Sequence, residues 1–398
     1  MSNFKFLFII LVSFNMLFCN AIAQNIDFQY MNGGREGSSH VEIDEQGFVH
    51  KDGVKIFPLG VYVTNVDSND LERIKAAGFN TILSYSLRSL NDANAFLNLA
   101  DNYDINVIYS LKDYYKGLKW APADIESSDY VGKYLQEIGK HKSLLAWYVN
   151  DELPLKRLPE IKSMSDKVNS LDGKHPVLQV LYDRSTVQMY INTSDIIALD
   201  AYPVGRKDDL LLSSLATEKV VSIAGKNKSP WLVPQMMDWG NYKKEMQQHP
   251  PNWQELQNQA YQGLIAGAKG MVFYSYYDLF YNSYPRNKKD LESFRTKWRE
   301  VVAMMDNVKP LIPVILNGSV IDKERPTAES DVKYRFYKYS GRRYLLLANP
   351  YYRESVIRFK SVGDGFSFSN VSSDIKLVKS PGFVSLILPP IYSGYIIN

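Results

Sequence analysis

Along most of this chain, short runs of apolar residues alternate with longer stretches whose apolar positions recur at helical spacing. The first run is Ile56–Val63, followed by a helical stretch over Asp70–Ala77 that Gly78 stops. Phe79–Ser86 and Ile105–Lys112 are the next runs, with helices expected over Asn91–Tyr103 and Ser128–Lys140. Leu144–Val149, Pro176–Asp183, Asp195–Val204, Trp231–Met236 and Lys269–Asp278 complete the set, and helices over Trp253–Ala268 and Lys289–Val308 follow the last two. Runs this continuous, without polar alternation, fit strands buried on both faces. Eight strand–helix units within about 250 residues predict an α/β fold of the (β/α)8 TIM-barrel type. An open doubly wound sheet would ordinarily carry a Gly-rich phosphate turn after its first strand, and Gly60-Val61-Tyr62-Val63 is not one.

The flanks differ. Val41–Lys55 reads as a hairpin lid on the barrel floor, with Asp52-Gly53 as its turn, and most of it falls in an N-terminal segment assigned to 24–53. The barrel is expected over 54–309. From 310 to 398 the pattern changes to short alternating strands separated by turn residues, which predicts a small C-terminal β-sandwich. Residues 1–23 have the layout of an export signal: Lys5, an apolar run from Phe6 to Cys19, and Ala21-Ile22-Ala23 before Gln24. Export would place the protein in the periplasm, at the cell surface or outside the cell. A lipid anchor on Cys19 conflicts with the bulky Phe18 before it. Cleavage after Ala23 removes the only cysteine, so the mature chain would have no disulfide and no thiol nucleophile. No later apolar run reaches transmembrane length.

The composition narrows the function. With 398 residues, 45% of them hydrophobic and 22% charged, the chain reads as globular rather than disordered. Its net charge of +3 is too small for a nucleic-acid footprint. The 28 tyrosines are an excess that a core does not need, because each buried hydroxyl requires a partner. The histidines, His40, His50, His141, His175 and His249, have no metal-ligand spacing, so no metal is expected. Nor is a cofactor: there is no phosphate-cradling loop and no G-x-S-x-G elbow.

In a barrel of this kind the chemistry sits at the C-terminal ends of the strands. The third strand ends near Asp113, the fourth at Asn150-Asp151-Glu152 and the fifth at Asp183. The sixth carries Asp200, the segment after the seventh Asp238, and the eighth ends at Asp278. Tyr62, Tyr85, Trp147, Tyr148, Tyr182, Tyr202, Trp239, Tyr274, Tyr276 and Tyr277 fall on the same ends. Carboxylates bind sugar hydroxyls, and aromatic faces stack on the C–H face of a pyranose. Any one aspartate could instead cap the helix that follows it, but capping does not gather aromatics. Strand alternation predicts that Tyr274, Tyr276 and Asp278 share one face.

The segment Ala146–Pro154, AWYVNDELP, resembles the fourth-strand motif of the cellulase-like clan (clan A) of retaining glycoside hydrolases, where Trp precedes an Asn-Glu pair. The resemblance implies Glu152 as general acid/base, with Asp151 in place of the Asn that binds the sugar 2-hydroxyl. The segments LDAYPVG and AGAKGMVFYSYYD resemble the same group, implying Asp200, Tyr202 and Tyr274 or Tyr276 as substrate contacts. The resemblance covers about residues 54–308. It departs at the seventh strand, PWLVPQ, where Gln235 stands in the position of the clan's nucleophilic Glu. Gln cannot form a glycosyl ester. Three readings therefore stand side by side. Asp238 supplies the second carboxylate; or Asp200 or Asp183 activates water in an inverting reaction; or the barrel binds glycans without cutting them. The expectation is an exported glycoside hydrolase of a β-linked poly- or oligosaccharide, the alternative a non-catalytic glycan-binding protein. Catalysis would fall to Glu152 with Asp238 or Asp200, and sugar contacts to Asp151, Tyr62, Tyr85, Asp183, Tyr202, Gln235, Trp239, Tyr274 and Tyr276. The partner is a carbohydrate, with no nucleic acid and no membrane span.

Overall fold

The computed structural model describes residues 38–398 except 87, 126–127, 208, 244–248, 287, 322–329 and 361–370. The export-signal reading falls in 1–23, outside the described residues.

The chain first forms three short antiparallel strands, β1 (Val41–Ile43), β2 (Val49–Lys51) and β3 (Val54–Ile56), in sequential order. The expected turn is present: Asp52 and Gly53 both have positive φ, 51° and 79°, as a tight two-residue hairpin requires. The segment is thus two hairpins sharing β2. Val41 and Val49 pack into the apolar cluster that fills the barrel, and the Val41 N–H donates to the Lys174 carbonyl just before a barrel strand, at 2.8 Å. This meander closes the N-terminal end of the barrel.

Eight parallel strands close the barrel: β4 (Leu59–Val63), β5 (Thr81–Ser84), β6 (Asn106–Ser110), β7 (Leu144–Asp151), β8 (Val177–Leu181), β9 (Ile196–Ala201), β10 (Ser229–Pro234) and β11 (Gly270–Phe273). The helices between and after them are α1 (Ser68–Ala77), α2 (Leu90–Asn102), α3 (Tyr130–Ile138), α4 (Leu158–Leu171), α5 (Leu212–Ala224), α6 (Trp253–Ala266) and α7 (Leu291–Val308), followed by the short α8 (Ile312–Asn317). The β8–β9 connection is the exception, crossing by a 3-10 stretch over Val187–Thr193. Tyr62, Leu83, Ile108, Tyr148, Trp231 and Val272 fill the interior as a packed core. Among the described residues no helix is long and apolar enough to cross a membrane.

One strand is shorter than its apolar run. β11 ends at Phe273, and the chain then turns into a 3-10 helix over Tyr277–Phe280. Alternation stops there, so Tyr274, Tyr276 and Asp278 do not share a face. The Tyr276 hydroxyl lies outside the barrel, donating to Asp70 Oδ1 at 2.7 Å and accepting from Arg73 at 2.8 Å.

Beyond the barrel, β12 (Ser319–Val320), β13 (Lys333–Tyr339), β14 (Arg342–Ala348), β15 (Ser355–Lys360), β16 (Lys376–Ser380), β17 (Phe383–Leu388) and β18 (Ser393–Ile397) make two antiparallel sheets. Their orders are β12-β13-β14-β18 and β15-β17-β16, with Phe336, Leu345, Leu347, Ile357, Phe359 and Leu386 in a common apolar core. α6 lies between barrel and sheets, and every residue from Glu255 to Ala266 is buried. Its polar residues serve the junction. Asn258 Nδ2 donates to the carbonyls of Asn349 and Tyr392 at 2.9 and 3.0 Å, and Gln257 Nε2 to that of Ser393 at 2.8 Å.

Near the barrel floor, the buried Asp172 Oδ2 accepts from Trp147 Nε1 at 2.6 Å and lies 2.7 Å from His175 Nδ1. His175 Nε2 in turn lies 2.9 Å from Ser39 Oγ, which donates to the Leu144 carbonyl at 2.8 Å. Asp172→Ala would leave the buried indole and imidazole nitrogens without a partner, a loss of about 2–4 kcal/mol. The expected result is a thermal midpoint several degrees lower, with Asp172→Asn losing less because it keeps an acceptor; differential scanning calorimetry checks both.

Candidate active site

The site is built around an irregularity in β7. Trp147 and Tyr148 pair with Val177 and Leu178, but Asn150 and Asp151 pair with Gln179 and Val180, so a residue is inserted between Tyr148 and Asn150. Such a bulge re-aims the side chains that follow it. Asn150 is fully buried, donating to Gln179 Oε1 at 3.3 Å and accepting from the Leu153 N–H at 2.9 Å. Asp151 returns to the side of Tyr148. Glu152 follows at the rim with φ of 55°, a left-handed conformation that costs a non-glycine residue about 1 kcal/mol.

Asp151 is tightly framed. Tyr148 donates to its Oδ1 at 2.5 Å and Tyr85 to its Oδ2 at 2.7 Å. Lys112 Nζ lies 3.6 Å from the same Oδ2, 3.1 Å from both oxygens of Asp113 and 4.2 Å from the Tyr85 ring centre. The Asp151 side chain is still 24% exposed, so its carboxylate can meet a ligand.

Asp200, from β9, is the partner of Glu152. Its Oδ1 is buried and accepts no hydrogen bond. Burial, and then the neighbouring Glu152 carboxyl, pushes Asp200 well above the usual carboxylate range. Glu152 is exposed at the rim, yet the protein around its carboxyl raises it too, with the Asp151 charge adding to the rise and Asp200 opposing it. Two carboxyls placed together resist double ionisation, so the pair holds a proton more tightly than either carboxyl would alone.

Tyrosines form the wall. Tyr62, fully buried, meets Tyr85, Tyr148 and Tyr274 edge-on, with ring centres 5.6, 6.4 and 5.1 Å away. Tyr202 stacks on Tyr274 at 5.6 Å, and Trp239 meets Tyr202 edge-on at 6.1 Å. The hydroxyls of Tyr274 and Tyr277 are 2.6 Å apart. Tyr242 OH, 3.2 Å from that of Tyr274, donates to the buried Asp278 at 2.8 Å. Arg286 pairs with Asp278 and donates to Tyr242 OH, at 2.5 and 2.9 Å.

The structure therefore gathers Glu152, Asp200, Asp151, Tyr62, Tyr85, Tyr202 and Tyr274, with Trp239 adjoining. Four other expected site residues are engaged elsewhere. Asp183 caps its own turn, accepting from the Ser185 N–H and Oγ at 2.8 and 2.7 Å and from Thr186 Oγ1 at 2.9 Å. Asp238 caps the 3-10 turn Trp239–Asn241 through the Gly240 N–H at 2.8 Å, and it is not among the charges acting on Glu152. Gln235 is fully buried. Its Oε1 accepts from the Val204 N–H at 2.8 Å, and its Nε2 donates to the carbonyls of Val204 and Met237 at 3.1 and 3.0 Å. Tyr276 points outside the barrel, as above. Sequence reasoning missed Lys112, Tyr242 and Arg286 as members of the site. Lys112 carried a signal, a lysine directly after a buried strand and beside an aspartate; the other two lie in loops without one. Among the described residues no cluster of His, Cys, Asp and Glu could hold a metal ion.

No family model matches the chain, and no curated protein matches it in sequence. Solved structures do resemble it. A glycoside hydrolase family 5 protein from Bacteroides vulgatus ATCC 8482 has a TM-score of 0.63 at 13% identity, covering 87% of this chain and 93% of that one. A second structure, titled simply a glycoside hydrolase, gives 0.61 at 12% identity over 90% and 93%. An α-amylase from Geobacillus thermoleovorans gives 0.51 at 10% identity over 89% and 99%. At these identities the likeness is one of fold: the chain is a TIM barrel of the kind on which glycoside hydrolases are built.

The Asp200 environment has a consequence for stability. A carboxyl whose folded pKa lies above its ordinary value of 3.8 binds its proton more tightly in the native state. Its contribution is thus fully present below that value and is lost as pH rises toward the raised folded value. Asp200→Asn is expected to flatten this decline and to exceed wild type in thermal midpoint at neutral pH. Thermal melts from about pH 4 to about pH 8 check it.

Proposed function

We propose that this chain is an exported glycoside hydrolase acting on a β-linked poly- or oligosaccharide, with Glu152 as its general acid/base. The observation that carries the reading is the pairing of Glu152, at the end of β7, with Asp200 of β9, two carboxyls that hold a proton more tightly than free ones do. Cleaving a glycosidic bond requires such a proton for the leaving oxygen. Glu152 stands at the rim where substrate arrives, and Asp200 lies behind it as the proton reservoir. The stacked Tyr202–Tyr274 pair and Trp239 offer faces to a pyranose ring. The barrel's likeness to glycoside hydrolases supports the same reading. Export rests on the layout of residues 1–23, and with it a site of action outside the cytoplasm.

Asp200 is the second carboxyl of the pair, since Asp183 and Asp238 each serve a turn. The engagement of Gln235 favours one other reading, a barrel that binds glycan without cutting it.

A single experiment separates the two. Glu152→Gln keeps the shape and removes the ionisable proton, so kcat should fall by about 10²–10⁴-fold, while thermal midpoint and glycan binding are retained. Products released from a panel of β-linked glycans, followed by mass spectrometry, supply the readout. A wild-type chain that binds one of these glycans and releases nothing from any would establish the binding protein instead.

A further inference from the structure

The sheet β15-β17-β16 is the outer layer of the C-terminal sandwich, because β13, β14 and β18 of the other sheet are the strands that lie against α6. Strand pairing sets which of its residues face outward. Val356, Ile387 and Lys376 stand side by side across the three strands. Arg358, Ser385 and Val378 form the next row, and Lys360, Phe383 and Ser380 the third. The alternate positions, such as Ile357, Leu386 and Leu377, turn into the sandwich core. Of the outward residues only Ser385 is buried.

This face carries charge of one sign. Arg358, Lys360 and Lys376 are exposed cations, and none of the outward positions is an acid. The acids nearest along the strands, Glu354 and Asp374, precede β15 and β16 and so fall at one end of the sheet. Among the described residues the three cations pair with no carboxylate, whereas Arg353, just before β15, pairs with Asp331 at 3.0 Å. Charge on an edge strand discourages pairing with another chain, but either sign would serve for that. Arg358 is moreover laid across the face. Its Nε donates to Ser385 Oγ at 3.3 Å, and its guanidinium carbon lies 6.0 Å from the Phe383 ring centre. Between the cations Val356, Val378 and Phe383 are 48, 39 and 36% exposed.

The occupant must therefore be anionic and must also offer apolar faces. A second copy meeting this sheet about a two-fold axis would set the same cations against one another. A bilayer surface favours apolar side chains that reach past the charges, and here the long side chains are the cations. The charge is also sparse, three cations among the outward positions of three strands. Along β15 the Arg358 and Lys360 backbones are about 7 Å apart, and that of Lys376, two strands away, is about 12 Å from Arg358. Single anions spaced along a chain match this better than dense clusters. We infer that this face binds a polysaccharide bearing uronate carboxylates, at a site separate from the mouth of the barrel. Each uronate ring presents one carboxylate to a cation and a C–H face to Phe383 or the valines. The inference goes beyond the glycosidase reading and does not need it, since it concerns holding a glycan rather than cutting one.

Fluorescence anisotropy of end-labelled oligogalacturonates and oligomannuronates, titrated with the full chain, is the test. Neutral oligogalactosides, sulfated dextran oligomers and phosphatidylglycerol vesicles are the comparisons. Wild type is expected to bind the uronates, and less tightly as salt rises from about 0.01 to about 0.15 M, where the screening length shrinks from about 30 to about 8 Å. The triple variant Arg358→Gln/Lys360→Gln/Lys376→Gln should weaken binding by about 10-fold or more at an unchanged thermal midpoint. Phe383→Ala should weaken it at unchanged charge, and Glu152→Gln should bind as wild type does. If the triple variant does not fold, Lys376→Gln alone, on the edge strand, with its salt series gives the same comparison. Absence of uronate binding overturns the inference, as does equal binding of the neutral oligomers or retained affinity in the charge variants. Preference for the sulfated oligomers or the vesicles, or a wild-type dimer that the triple variant abolishes, overturns it in favour of that occupant. Hydrolysis is read separately on small β-glycosides, so the glycosidase reading stands or falls by itself.

Discussion

Between Tyr148 and Asn150 the β7 ladder gains a residue against β8, and the direction of each side chain after it depends on that bulge. In a regular strand Asn150 and Glu152 would follow Tyr148 on the inner face. With the bulge, Asn150 turns away to Gln179 and Leu153, Asp151 comes inward beside Tyr148, and Glu152 is carried to the rim in a left-handed conformation. The fixed interior ring of Tyr148 is what makes the new register productive. Its hydroxyl meets Asp151 Oδ1, and its edge packs on Tyr62, so the core of the barrel and the frame of the carboxylate are the same side chain.

The bulge brings Asp151 into surroundings unlike those of Asp200 on β9. Asp151 is surrounded by two phenol donors and an ammonium. Asp200, from β9, has a buried oxygen with nothing donating to it and another carboxyl for a neighbour. Groups of one chemical type, brought together from β7 and β9, are thereby given different tasks, which is how one site can offer both charge stabilisation and a tightly held proton. The tyrosine wall maintains the difference by excluding water, and the Asp278–Arg286 pair supports that wall from behind through Tyr242. The polar face of α6 and the Asp172–His175–Ser39 chain hold the outside and the floor, where no chemistry is expected of them.

The barrel was legible because strands covered on both faces are continuously apolar, and Leu144–Val149 or Trp231–Met236 announce themselves by that alone. The same rule misplaced the end of β11. Tyr274, Tyr276 and Tyr277 prolong the apolar run past the point where the backbone leaves the sheet, and hydrophobicity cannot report that departure. At the site, the sequence located the rim residues but not their engagements. Asp183 and Asp238 sit at strand ends like Asp200, and only the local N–H donors of their turns distinguish them. The coupling of Glu152 to Asp200 joins β7 to β9 across 48 positions and has no local signal. Lys112 was readable as an oddity, a charge at the end of a buried strand, although its partner Asp151 was not.

Gln235 shows most directly how environment, rather than position in a motif, decides a residue's role. Its side chain faces two carbonyls, of Val204 and Met237, and one N–H, of Val204. An amide matches that set, with two donors and an acceptor. A carboxylate at the same place would set a charged oxygen against two carbonyl oxygens in a fully buried pocket, and a protonated acid would satisfy only one of them. The end of β10 is therefore built for Gln. The clamp it makes fixes the loop leaving β9 at Val204, four residues after Asp200 and two after Tyr202. The feature that removes the expected nucleophile is thus the one that anchors the strand bearing the proton-holding Asp200. A Glu restored at 235 would have to break this clamp before it could face the cleft, and the loop carrying Asp200 and Tyr202 would loosen with it.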